Sequence, residues 1–174
     1  MIKIIPILTF ALLASSCATL GQNMPTSQNN QSVKETATYV NTADGLVTLE
    51  SDYSVKETAD RFESIIKEKG LTLFSRIDHQ KNAKGADLEL RPTEVILFGN
   101  PKAGTKLMQC AQNVAIDLPQ KVLISEGADT KVTLSYNNPD YLKARHNIQG
   151  CDKVISDIST LLGKLSTAAT SKLA

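Results

Sequence analysis

The sequence predicts an α+β domain: a curved antiparallel or mixed sheet with helices packed on one face. Three observations carry that class. Residues 71–78 and 131–136 alternate apolar and polar side chains, as half-buried strands do. Residues 55–66 and 154–165 instead repeat apolar side chains at helical spacing. The strand-like segments also follow one another without a strict strand–helix alternation, which excludes a doubly wound parallel sheet.

Taken in order, Leu46-Val47-Thr48-Leu49-Glu50 reads as the first strand. Ser54 and Glu57 form a capping box ahead of an apolar stripe made by Val55, Ala59, Phe62, Ile65 and Ile66. Gly70 ends that helix as a left-handed cap, with Leu71 as its apolar partner. The next strand places Leu71, Leu73, Ser75 and Ile77 on one face and Thr72, Phe74, Arg76 and Asp78 on the other. Residues 80–87 are polar and read as a turn or a single helical turn. Val95-Ile96-Leu97-Phe98 is the most apolar strand, expected in the centre of the sheet and buried on both faces.

Asn100 and Pro101 suit the N-cap and first position of a second helix, with Leu107, Cys110 and Ala111 on its buried side. Residues 114–118 lead to Pro119. Residues 122–126 and 131–136 form a hairpin around Gly127-Ala128-Asp129, with Val132, Leu134 and Tyr136 on one face. Asn138-Pro139 repeats the cap-plus-proline device and opens a short helix to Arg145. Val154, Ile155, Ile158, Leu161, Leu162 and Leu165 mark a long amphipathic helix.

The first 17 residues are a secretion signal. Lys3 is the positive start, residues 4–13 are mostly apolar, and Ala14-Ser15-Ser16-Cys17 supplies small residues and a cysteine. A run of ten residues is about half of what a spanning helix needs. Two cleavage modes fit. In one, Cys17 is lipidated and anchors the chain to a bacterial envelope membrane, with the periplasmic side of the outer membrane as the expected address. In the other, cleavage follows Ala18 and Cys17 is discarded. Leu13 sits one place early for a lipoprotein site, yet a cysteine at the end of a signal core favours lipidation. Residues 18–42 are rich in Gln, Asn, Ser and Thr and read as a flexible tether, because they bury too little apolar surface to offset their ordering entropy. Within the tether, Ser32-Val33-Lys34-Glu35-Thr36-Ala37 duplicates residues 54–59 but lacks the apolar continuation of a helix. Residues 43–174 then form one domain.

The chain of 174 residues has 19 basic and 18 acidic side chains; the signal takes Lys3, leaving 18 of each. With no basic stripe and no Trp, nucleic acid is a poor partner. No stretch after Leu13 is long and apolar enough to span a membrane. Once Cys17 is lipidated or removed, Cys110 and Cys151 remain in an oxidising compartment and are expected to pair. Two unpaired buried thiols are the alternative. No close-spaced Cys or His set implies a metal, and no cofactor motif is present.

Several runs resemble the family called domain of unknown function 302. They are Gly70-Leu71-Thr72, Arg76-Ile77-Asp78-His79 and Leu90-Arg91-Pro92-Thr93-Glu94, followed by Phe98-Gly99-Asn100-Pro101-Lys102-Ala103-Gly104-Thr105, Asp117-Leu118-Pro119 and Leu134-Ser135-Tyr136-Asn137. The resemblance covers residues 45–148. It implies a compact fold like half of the TATA-binding protein, and no defined activity. The signal, the tether and the longer C-terminal helix lie outside it, as does Cys151, so it does not imply the disulfide.

Four places are candidates for chemistry. His79 ends a strand that also carries Arg76 and Asp78; an imidazole there can act as a base or ligand, or simply hydrogen-bond the loop. Arg91 can hold an anionic group, or pair with Glu94 or Asp78. Asn100 and Lys102 sit at a glycine-flanked helix start that can meet an anion, or is plain capping. Tyr136 and Asn137 open a polar, aromatic loop that lines a pocket or merely turns the chain. His146, at a helix end, suits the helix dipole.

No catalytic triad or paired catalytic carboxylates can be assembled. The leading reading is therefore a non-catalytic envelope module that binds a small molecule or an envelope protein. An enzyme using His79 with Arg91 or Asp78, a self-associating structural protein forming a homodimer, and a haem or metal binder are the alternatives.

Overall fold

The computed structural model describes residues 40–41 and 45–172. The signal at 1–17 with Cys17, the first copy of the duplicated hexapeptide and nearly all of the tether lie outside the described residues. Strands are β1 (Val40–Asn41), β2 (Leu46–Ser51), β3 (Thr72–Asp78), β4 (Thr93–Gly99), β5 (Gln120–Glu126) and β6 (Val132–Asn137). Helices are α1 (Val55–Glu68), α2 (His79–Lys84), α3 (Pro101–Cys110), α4 (Pro139–Arg145) and α5 (Asp152–Thr170), with a 3-10 helix at Gln112–Asp117. The sheet runs β1-β2-β6-β5-β4-β3 and every pairing is antiparallel, so the mixed alternative falls away. β1 takes two residues that composition assigns to the tether and pairs them with β2.

The caps follow the sequence. The Ser54 hydroxyl accepts from the Glu57 N–H of α1. Gly70, at φ +67°, closes that helix with Leu71 N–H donating to Ile66 O and Gly70 N–H to Lys67 O. This pair of bonds satisfies two orphan carbonyls, and a residue with a Cβ would strain at that φ. Asn100 and Asn138 cap α3 and α4 through their side-chain oxygens, each with proline next.

One sheet face is buried. Val47, Leu49, Ile96, Phe98, Val122, Ile124 and Leu134 pack against Phe62 and Ile66 of α1 and Leu162 and Leu165 of α5. Phe62 meets Phe98 edge-on at 5.0 Å between ring centroids, a geometry the ring quadrupoles favour. The opposite face is open and carries Thr48, Thr133 and Ser135 beside half-buried Ile77, Val95 and Leu97. This corrects the expectation for β4. Its Ile96 and Phe98 are buried, but Val95 and Leu97 are only half-buried, because an antiparallel sheet covered on one side alternates along every strand.

β3 supplies a second correction. A bulge falls between Leu73 and Ser75, and one extra residue reverses the faces beyond it. Leu73 pairs with Phe98 and Arg76 with Ile96, both on the core side, whereas Ser75 and Ile77 pair with Leu97 and Val95 on the open side. Phe74, the bulged residue, is left 52% exposed. Leu73 and Ser75 therefore do not share a face.

A second apolar cluster joins Leu107, Val114, Ile148, Cys151 and Ile155. The Cys110–Cys151 disulfide lies beside it, with Cα atoms 6.3 Å apart, and ties the end of α3 to the start of α5. Residues 114–118, expected as a plain lead into Pro119, are largely 3-10 helix, and fully buried Val114 is its anchor in this cluster.

Candidate functional site

α3 packs on the 3-10 helix and on α5 rather than on the sheet. The space left between α3 and the end of β4 is a cleft of about 590 Å³. Phe74, Phe98, Met108, Leu118, Ile158 and Leu161 supply most of its walls. Two glycines keep it open. A Cβ at Gly99 would lie 3.8 Å from Phe74 Cε2, and one at Gly104 would lie 3.9 Å from Leu118 Cδ1. Both are ordinary contact distances, so larger side chains would fill the cleft without a backbone clash. Clefts of about 300–1,000 Å³ with apolar walls and few polar groups are the usual form of small-molecule sites.

One amide beside this apolar space is unusual. Gln120 opposes Phe98 across the β4–β5 ladder and shares its core-facing side. Gln120 lines the cleft, and its Nε2 is buried without a hydrogen-bond partner. Such an orphan donor costs about 1–3 kcal/mol and is rare in native folds.

Around the start of α3 the cleft adjoins a smaller hollow of about 240 Å³ that shares Leu71, Ala103 and Leu161 with it. Lys102, Lys106 and Asp157 edge this hollow. Asp157 is held by Lys153 Nζ at 2.9 Å. Among the described residues neither Lys102 nor Lys106 makes an ion pair.

A family model described as "Domain of unknown function DUF302" matches residues 47–165, more than half of the chain, so Cys151 and most of α5 fall inside the family region and not beyond it as the resemblance over 45–148 implied. The chain belongs to the DUF302 family. A DUF302 protein from Bacillus stearothermophilus, known by crystal structure, superposes with a TM-score of 0.66 at 17% identity, covering 73% of this chain and 99% of that one. At that identity the likeness shows the shared fold. Proteins named fluoride-specific ion channel FluC 1 in Brucella suis biovar 1 and FluC 2 in Brucella melitensis biotype 1 are 46% identical to it over 104 residues. The match covers 60% of this chain but 41% and 38% of theirs. This DUF302 chain thus spans about two fifths of the length of the curated relatives it matches.

The structure separates the residues that sequence reading grouped. Asn100 lines the cleft, and its Oδ1 accepts from Lys102 N–H and Ala103 N–H, so that oxygen is spent on capping α3. Lys102 edges the adjoining hollow. Arg76 and Asp78 lie elsewhere, on a polar hollow with Lys56, Gln80 and Glu94. The bulge in β3 turns Arg76 over α1, where Nε donates to Glu94 at 2.5 Å and Nη1 to Asp60 and Glu63 at 2.6 and 3.2 Å. Glu94 foremost, then Asp60 and Glu63, raise its pKa against the opposing cost of burial. Lys56 first and Arg76 second hold Asp60 below the usual carboxylate range, and Lys67 and Arg76 do the same for Glu63. One cation among three carboxylates is a poor seat for an anion.

Asp78 caps α2, accepting from Lys81 N–H, and His79 is the first residue of that helix. Arg91 is exposed and donates from Nε to Glu126 O. His79 and Arg91 line neither the apolar cleft nor the polar hollow. Tyr136 faces the core at 5% exposure and Asn137 falls on the other side of β6, so the loop after β6 does not gather them into a pocket. Sequence reading missed Gln120 altogether. Its only signal was a polar residue at a core-facing position of a strand.

Proposed function

We propose that this DUF302 protein is a non-catalytic module that binds a small apolar molecule at a bacterial envelope membrane, to which a lipid on Cys17 holds it. The observation that carries the ligand half is the apolar-walled cleft between α3 and the end of β4. The cleft opens to solvent with apolar walls, and a ligand with an apolar body would take those walls out of water. The runs that carry the family resemblance, Phe98 to Thr105 and Leu118-Pro119, are also runs that line the cleft.

The address rests on the signal, the cysteine and the polar tether. The Brucella relatives support the same setting, since their names are those of membrane channels. Among the described residues of this chain no helix is long and apolar enough to cross a membrane. What those relatives lend is proximity to a membrane, not conduction. The enzyme reading has less support, because neither His79 nor Arg91 lines the apolar cleft or the polar hollow.

Titration of the mature chain with the neutral fluorophore N-phenyl-1-naphthylamine tests the cleft. Saturable one-to-one enhancement is expected, and Gly104→Leu should abolish it while keeping the fold. Undiminished binding by Gly104→Leu sinks the reading. Cys17→Ser should move the protein from the membrane fraction to the soluble envelope fraction.

A further inference from the structure

We propose that the ligand is a free long-chain fatty acid, with its chain in the apolar cleft and its carboxylate between Lys102 and Lys106. This rests on the cleft being a ligand site, and adds what the ligand is.

The walls set the first half. Large apolar side chains and two glycines leave room for a hydrocarbon chain. The edge sets the second half. Lys102 and Lys106 are four residues apart on α3, so they share one face of it. Like charges at that spacing repel. Lys102 also stands in the first turn of α3, which holds no acidic residue. The positive end of the helix dipole lies there, so helix stability argues against a lysine at that place. Neither lysine is neutralised by a described carboxylate, and Asp157 is already taken by Lys153. An anion beside them relieves the repulsion and meets the dipole. A cationic amphiphile would meet the same field with the wrong sign, and a neutral one would gain nothing from it. The hollow that carries the lysines shares walls with the cleft, so one molecule reaches both.

The test is displacement of N-phenyl-1-naphthylamine from the mature chain by dodecanoate and by dodecanol. Dodecanoate should bind more tightly than dodecanol and weaken as salt rises. Lys102→Glu/Lys106→Glu should weaken dodecanoate roughly tenfold and leave dodecanol unchanged, a size set by two exposed ion pairs. Equal affinity for both compounds, or dodecanoate binding untouched by the lysine reversals, overturns the fatty-acid assignment and leaves the cleft reading standing. Failure of dodecanoate, dodecanol and the fluorophore alike overturns both. Circular dichroism on the double variant confirms that exposed reversals keep the fold.

Discussion

His146 Nε2 stands 2.5 Å from Asp117 Oδ2, with the two side chains only 5% and 13% exposed. The pair joins the end of α4 to the end of the 3-10 helix, and Lys121 Nζ adds a bond to the Asp117 carbonyl. The sequence placed His146 at a helix end, where it is, but gave no hint of Asp117 beside it. Removing the imidazole leaves a largely buried carboxylate with only Arg145 at 3.5 Å. His146→Ala should cost about 2–3 kcal/mol in urea unfolding. Ala115 and Leu118 of the same segment line the cleft, so fluorophore affinity should fall as well.

The disulfide makes a separate prediction. It closes a loop with a sequence separation of 41 residues, worth on the order of 4 kcal/mol in the chain-entropy account. Cys110→Ser/Cys151→Ser should lose stability of that order, read by urea unfolding under non-reducing conditions. Because the bond fastens α3 to α5, and both wall the cleft, the variant should also bind the fluorophore more weakly.

Arg76 and its carboxylates predict an acid limb of stability. Asp60 and Glu63 have pKa values lowered in the fold. Above about pH 4.5 they are ionised in both states and their stabilisation is fully present; it is lost as pH falls through their folded values. Urea midpoints at pH 7, 5 and 3 should drop more steeply in wild type than in Asp60→Asn/Glu63→Gln. Arg76→Met strands Glu94, which is 8% exposed, and should cost about 3 kcal/mol at pH 7; adding Glu94→Leu should restore most of it.

These cases mark what a sequence alone discloses. Caps at Ser54, Gly70, Asn100 and Asn138 were legible because each depends on a few adjacent residues. The core faces of α1, α5 and β6 were legible from period alone. The bulge at Phe74 was not, since nothing local distinguishes an extra residue in a strand from a regular one. That single residue decides that Arg76 meets α1. The cleft was equally hidden. It exists because α3 packs on α5 instead of the sheet, a tertiary choice that glycines at 99 and 104 permit but do not announce. Asn100 and Lys102 stand at a helix start that the structure shows capped from within, with the lysine at the edge of the hollow beside the cleft.

Arg61 gives a prediction for the other end of α5. Its Nε donates to Ala169 O at 3.0 Å and its Nη2 to Ala168 O at 2.9 Å, while its guanidinium lies 4.2 Å from the Tyr53 ring centroid. A cation there satisfies helix-end carbonyls and opposes the negative end of the dipole. Arg61→Ala should cost about 1.5–3 kcal/mol, and Arg61→Lys should recover only part, since a point charge cannot make the forked contact.

Gln120 separates stability from function most sharply. With its amide nitrogen unpaired, the protein carries the cost of an orphan donor. Gln120→Leu removes that donor at similar volume, so the empty domain should gain about 1 kcal/mol, measured by urea unfolding. Affinity for dodecanol and for the fluorophore should hold, because the amide nitrogen has almost no exposed surface for a ligand to reach. A destabilised Gln120→Leu would mean that the amide is satisfied in solution. A stable variant with unchanged dodecanol affinity would mean that no ligand oxygen reaches it. Stabilisation with binding intact is the pattern of a buried donor whose cost the fold carries.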